Sequence, residues 1–261
     1  MSSFLRASPL IVIACFALAA SALAAGPKPD FAITTKSIEA TVVLDAAIKA
    51  DPPLAADCLA EGQKWAQKQR TEADAARKEM PDAFRQGGWS VERKYEQRSL
   101  VADRYVSVVR NEYTNTGGAH PNLDLDTILW DRTAAKRISI RPFFKETANG
   151  GPTLKFLASS IIDAVKIAKK ARHNGEDTET DWIETIQPSL LKLGPVTLAP
   201  STEAGKSSGL TFHFAATALG VHAEGGYVAF VPWQKLQPYL TPEGVAIFGG
   251  ARPAGDDDGL Q

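Results

Sequence analysis

The sequence predicts an α+β fold, an antiparallel β-sheet meander with helices packed on one face. Three observations carry that expectation. Between Asp51 and Met80 apolar or small side chains recur at helical spacing. From Trp89 the period switches to two and holds through several segments separated by short polar turns. A second helical stretch and two further strand-like runs then close the chain. A helix leaves its apolar residues three or four apart and a half-buried strand alternates them, so a change of period marks a change of element.

The chain opens "MSSFLRASPLIVIACFALAASALAAGPKPD". Arg6 precedes an apolar run over residues 9–20, and Ala22-Leu23-Ala24 has the small-x-small pattern of a signal-peptidase site. The run is shorter than the roughly 20 residues a spanning helix needs. Residues 1–24 are therefore expected to be a signal peptide cleaved near Ala24, making the protein periplasmic or secreted. A minor alternative takes Val12-Ile13-Ala14-Cys15 as a lipobox and makes the chain a lipoprotein anchored at Cys15. No later run is long and apolar enough to span a bilayer, so no stable membrane span is expected in the mature chain. With 29 basic and 30 acidic residues, nothing favours nucleic acid as a partner. Loss of Cys15 with the leader leaves Cys58 without an intramolecular partner. It falls on the apolar stripe of the first long helix, where a free thiol packs as a small hydrophobe.

The elements follow in order. "GPKPDFAITT" is an extended lead-in and "SIEATVVLDAA" the first strand, by its β-branched content. Asp51 caps a helix that Pro52 enters at its first turn. Its stripe is Leu54, Cys58, Gly62, Trp65, Ala73, Ala76 and Met80. "WSVERKYEQRS", "DRYVSVVRNEYTN" and "LDLDTILWD" alternate, and "KRISI" completes the meander. "PTLKFLASSIIDAVKIAKKAR" is helical, with Leu157, Ile161, Ala164, Val165 and Ala168 on one side, and Asn174-Gly175 ends it. A short helix around residues 182–193 is expected next. "LTFHFAA" and "GYVAFVPW" are strands; the first puts Leu210, Phe212 and Phe214 on one face and His213 on the other, in a surface or cross-strand position. Residues 249–261 read as a disordered acidic tail.

The segment "NEYTNTGGAHPN" is the candidate site. Gly117 and Gly118 permit positive φ in a hairpin turn. Pro121 holds His120 extended and removes a ladder donor. His120 thus stands on a stiff exit from a flexible turn, flanked by Tyr113 and Asn122. There it can meet a ligand or bond the carbonyls of its own turn. His222 and Glu224 lie in a later loop that could meet it, as could Asp124. No G-x-S-x-G elbow occurs, no histidines stand at metal-ligand spacing, and no cofactor is expected.

Three blocks, "YTNTGGAHPN", "ILWDRTAAKRISIRPFFKE" and "LTFHFAATALGVHAEGGYVAFVPWQKLQPYL", occur in that order. Together, over roughly residues 35–248, the chain resembles the extracytoplasmic domain of RsiV anti-sigma factors. That domain also accompanies PdaC-type peptidoglycan deacetylases. Tyr113, Gly117, Gly118, Ala119 and His120 match the first block. Asp131, Lys136 and Phe144 match the second, and Leu210, Phe212, Phe214, Gly225, Val231 and Pro232 the third. The chain departs from the pattern at "AATALGVHAEGG", which carries His222 and no tyrosine, and at Ala135, where glycine is common. On this resemblance, residues 30–120 and 121–248 are the two halves of one PdaC/RsiV-like module. In the RsiV branch the domain binds lysozyme; in the PdaC branch a separate domain does the chemistry, and its TFDDG-like motif is absent here.

The expected function is a non-enzymatic binding module of the cell envelope. Its partner would be a lysozyme-like protein or peptidoglycan, held by Tyr113, Gly117, Gly118, His120, Asn122, His222 and Glu224. Inhibition of such an enzyme by the loops after Asn115 and Leu219 belongs to the same class. The alternative is a small envelope hydrolase or deacetylase-type enzyme that uses His120 with a loop carboxylate.

Overall fold

The computed structural model describes residues 28–118, 120–176 and 179–256. The expected leader, its cleavage point and Cys15 lie outside the described residues. β1 (Phe31–Thr34) and β2 (Ile38–Leu44) pair antiparallel. The short α1 (Ala46–Lys49) leads into α2 (Pro52–Glu79), which carries the chain back so that β3 (Trp89–Val101) runs parallel to β2, Ile38 opposite Trp89. A parallel neighbour requires such a crossover. β4 (Tyr105–Asn115), β5 (Asn122–Asp131) and β6 (Lys136–Ile138) then follow as the antiparallel meander that the alternation predicts. The sheet order is β1-β2-β3-β4-β5-β6. It runs unbroken across residue 121.

The α+β class holds, with a second sheet that alternation alone does not announce. After α3 (Pro152–Arg172), β7 (Val196–Leu198), β8 (Gly209–Phe214) and β9 (Tyr227–Pro232) form a separate antiparallel sheet. Two short helices, α4 (Trp233–Leu236) and α5 (Pro242–Ile247), close the fold. The expected helix at 182–193 is a 3-10 turn, Asp181–Thr185, followed by irregular chain.

Each long helix packs on its own sheet. Leu54, Cys58, Trp65, Ala66 and Ala73 of α2 meet Ile38, Ala40, Val42, Val91 and Tyr95 in one core. Gly62 lets α2 approach closely: an added Cβ would lie 2.6 Å from a Val42 methyl. Asp51 caps α2, accepting from the Leu54 amide at 3.3 Å, as its sequence position predicts. The buried stripe stops near Ala73, and Met80 is 57% exposed. At 28 residues α2 is about 42 Å long and overhangs the strands it packs on. Leu154, Leu157, Ile161 and Val165 of α3 cover Leu210, Phe212, Phe214, Tyr227 and Val231 in the second core, which Val101, Tyr105 and Leu129 join from the large sheet.

The two sheets are joined by hydroxyls. β7 is an edge strand, and its outward backbone groups lack a strand partner. Val196 N–H donates to Thr127 Oγ1 at 2.8 Å and Leu198 N–H to Ser107 Oγ at 2.9 Å. Ser99 Oγ donates to the Leu198 carbonyl at 2.6 Å. Three successive strands of the large sheet, β3, β4 and β5, each supply one of these side chains.

Two expectations are settled on the outer face of β8. Of the two positions open to His213 it takes the cross-strand one: it is 1% exposed, and its Nε2 lies 2.8 Å from Thr197 Oγ1 on β7. Burial, reinforced by the Arg98 and Arg252 charges, pushes its pKa down to about 3. Over 249–256, the stretch expected as a solvated acidic tail covers this face instead. Trp233 Nε1 donates to the Gly250 carbonyl at 2.9 Å, Arg252 stacks over Phe230, and Asp256 is paired with Arg98 and Arg252. Arg98 stands at the β-bulge between Gln97 and Ser99, which turns it toward the tail. Residues 257–261 lie outside the described residues.

Candidate functional site

Two loops converge beside the large sheet. The first joins β4 to β5, and Gly117 within it has φ +88°, the left-handed conformation the sequence anticipates. The Gly117 amide donates to Asn115 Oδ1 at 2.9 Å, an Asx turn that sets the bend. A notional Cβ on Gly118 would meet the His120 carbonyl at an ordinary 3.9 Å. The second loop joins β8 to β9. Gly226 passes so close to the Phe214 carbonyl that a Cβ would sit 2.7 Å from it.

The imidazoles of His120 and His222 meet across these loops, ring centres 5.8 Å apart and planes inclined 23°. Both residues are exposed, and neither makes a hydrogen bond among the described residues. The sequence places them in loops that could meet; the structure brings them together. It does not bring Glu224 with them. That carboxylate turns away, accepting from Lys169 Nζ at 2.6 Å and Tyr227 Oη at 2.5 Å. Lys169 first, then Tyr227, holds its pKa below the usual carboxylate value. Arg172 donates to the Glu224 carbonyl and lies 4.2 Å over the Tyr227 ring.

Beside the paired loops runs an open groove of about 430 Å³. Its floor is the exposed end of β3, β4 and β5, with Glu92, Lys94, Glu96, Asn111, Tyr113, Leu123 and Asp124. Its wall is Phe214, Ala215, Ala216 and the Gly225-Gly226 pair. Leu123 and Gly225, which line the groove, each stand three residues past one of the two histidines in the sequence. Asn122 is exposed at the start of β5, opposite Thr114. Lys94 pairs with Glu92 at 3.0 Å, and Asn111 donates to Glu96 at 3.0 Å. Glu112, whose side chain serves Arg93 and Arg110, is not free for a ligand. Glu92 and Glu96 against Lys94 leave the groove acidic, while Asp124, opposite Glu112 in the ladder, turns its side chain to the other face of the sheet.

Sequence reasoning missed the Lys169 assembly. Lys169 is 2% exposed and lies 4.8 Å from the Tyr227 ring centre and 5.8 Å from that of Trp182. The available signal was its spacing: four residues past Val165 and eight past Ile161, it falls on the buried stripe of α3. It lines a second cleft of about 530 Å³ with His173, Trp182, Gly220 and Glu224. Asp131, matched by the resemblance, has a structural place. It binds Arg104 through two contacts, at 3.0 and 2.7 Å, and caps the following turn through the Thr133 and Ala134 amides. Arg104 chiefly holds its pKa down. Ala135 takes φ +46° in that turn, the conformation for which glycine is the easier residue. Cys58 is buried, and desolvation pushes its thiol up to about 12, a poor nucleophile. Among the described residues no three His, Cys, Asp or Glu side chains gather to hold a metal ion, and no helix is long and apolar enough to cross a membrane.

No protein-family model matches the chain, and no curated protein matches it in sequence. Among solved structures, a DUF3298 family protein from Pseudomonas aeruginosa is similar at 18% identity and a TM-score of 0.49, over 84% of this chain and 90% of that one. A DUF3298 family member from Bacteroides fragilis is similar at 14% identity and a TM-score of 0.49, over 77% of this chain and 76% of that one. With fewer than one residue in five shared, the site is read from its own geometry.

Proposed function

We propose that the protein is a non-enzymatic binding module of the cell envelope, exported by its leader, whose acidic groove receives a basic protein surface such as that of a lysozyme-like muramidase. The observation that carries this is the groove itself. Tyr113 and Leu123 offer contact area, Glu92 and Glu96 set the charge, and the Gly225-Gly226 wall lets backbone approach. Opposite charge steers such partners together and fixes their orientation. The hydrolase alternative loses one of its two candidate loop carboxylates: Glu224 is engaged by Lys169 and Tyr227, which leaves Asp124.

Calorimetric titration against a c-type lysozyme and against soluble peptidoglycan fragments tests the proposal. Lysozyme should bind, more weakly as salt rises, because exposed charges are screened. Binding to peptidoglycan alone would replace the partner but keep the module. Binding to neither, with a hydrolytic or deacetylase activity that His120→Ala abolishes, would overturn the proposal in favour of the enzyme.

A further inference from the structure

The His120–His222 pair has a chemistry that partner binding does not use. We infer that the two imidazoles form an open chelate for a late divalent transition ion such as Zn²⁺, which ties the β4–β5 loop to the β8–β9 loop. The inference takes its location from the proposed groove and needs no partner protein.

Three observations support it. The imidazoles come from separate loops and face one another at 5.8 Å with no other hydrogen-bonding partner among the described residues, so their nitrogens are uncommitted. The separation also suits the ion. Zinc–nitrogen bonds of about 2.0–2.1 Å, and about 1.1 Å more from nitrogen to ring centre, place two rings on one tetrahedral ion about 5 Å apart. Both side chains are exposed, so rotation about either one closes the difference. Imidazole is a ligand zinc, copper and nickel accept readily. Third, each loop is anchored at its base. Asn115 holds the Gly117 amide on one side, and Glu224 is held by Lys169 and Tyr227 on the other. Anchored loops limit the order that chelation must impose.

Among the described residues no third protein ligand stands beside the pair. The remaining positions of a four-coordinate ion therefore fall to water or to a donor on a bound partner. Such a site is weaker than a structural zinc centre, and its effect is to join two loop tips without creating the fold.

The test is titration of zinc chloride into the protein by calorimetry, with hydrogen exchange read over 116–121 and 216–226. Loss of an outer-shell partner alone weakens metal sites about 10–100-fold, so His120→Ala and His222→Ala should each weaken zinc at least tenfold. His173→Ala should leave it unchanged. Both loops should exchange more slowly with zinc in the parent protein and not in either variant. Zinc binding equal in the parent and both single variants, or binding that slows neither loop, would overturn the inference. Lysozyme is absent from this titration, so its result is independent of whether the proposed partner is correct.

Discussion

Ser107 is 0% exposed, and its hydroxyl takes the Leu198 amide that no strand reaches. Removing it leaves a buried donor unsatisfied, which costs about 1–3 kcal/mol. Ser107→Ala is expected to lower unfolding free energy by about 2 kcal/mol in urea, whereas Ser90→Ala, exposed at the start of β3, should change it little. His213 gives a pH signature. Its folded pKa is depressed to about 3 from an ordinary 6.5, so below 6.5 the unfolded chain takes up a proton that the folded chain refuses. Stability should therefore fall as pH drops through 6.5, by about 1.4 kcal/mol per unit. The depressed carboxylates Glu61, Asp131, Glu146 and Glu224 enter only as pH approaches the ordinary carboxylate range, so in the window between pH 6.5 and about 5.5 the slope belongs mainly to His213. His213→Asn, measured by urea unfolding across that window, should flatten it; an unchanged slope would contradict the burial. Neither role was legible in the sequence. A serine or histidine on the polar side of an alternating strand looks solvated, and only the arrival of β7 and the 249–256 segment buries them.

At the scale of elements, the stripes of α2 and α3, the Asp51 cap, the Asn174-Gly175 stop and the β3–β6 meander were legible, because each is set by neighbours along the chain. The parallel β2–β3 pair and the separate β7–β9 sheet were not. Alternation shows that a segment is a strand and does not choose its partner. Lys169 was concealed by its type: it sits on the apolar stripe of α3 and is buried because Glu224 comes to it from the β8–β9 loop. That ion pair fastens the loop to the helix. Glu224→Gln strands the Lys169 ammonium in a buried position, and breaking a buried pair from one side costs about 3–5 kcal/mol. Glu224's own partial exposure places the expected loss toward the low end, about 3 kcal/mol. Hydrogen exchange over 216–226 should quicken in this variant more than over α2; equal protection in both would show that the pair does not hold the loop.

At the scale of the molecule, two layers of sheet and two long helices present one face where two loops meet over an acidic groove. The α+β class followed from the sequence, which also allowed that His120 and His222 could meet; the turning away of Glu224 did not follow, because Lys169, which draws it, lies on a helix 55 residues earlier in the chain. The central claim is that the protein works by presenting this groove to a basic partner. The most direct measurement is calorimetric titration of a c-type lysozyme into the double variant Glu92→Gln/Glu96→Gln, with Glu72→Gln/Asp74→Asn on the far helix as a charge-matched control. The account predicts that the groove variant loses at least about tenfold in affinity, equivalent to about 1.4 kcal/mol, and that the control binds as the parent does. Equal affinity for the groove variant and the control would contradict it.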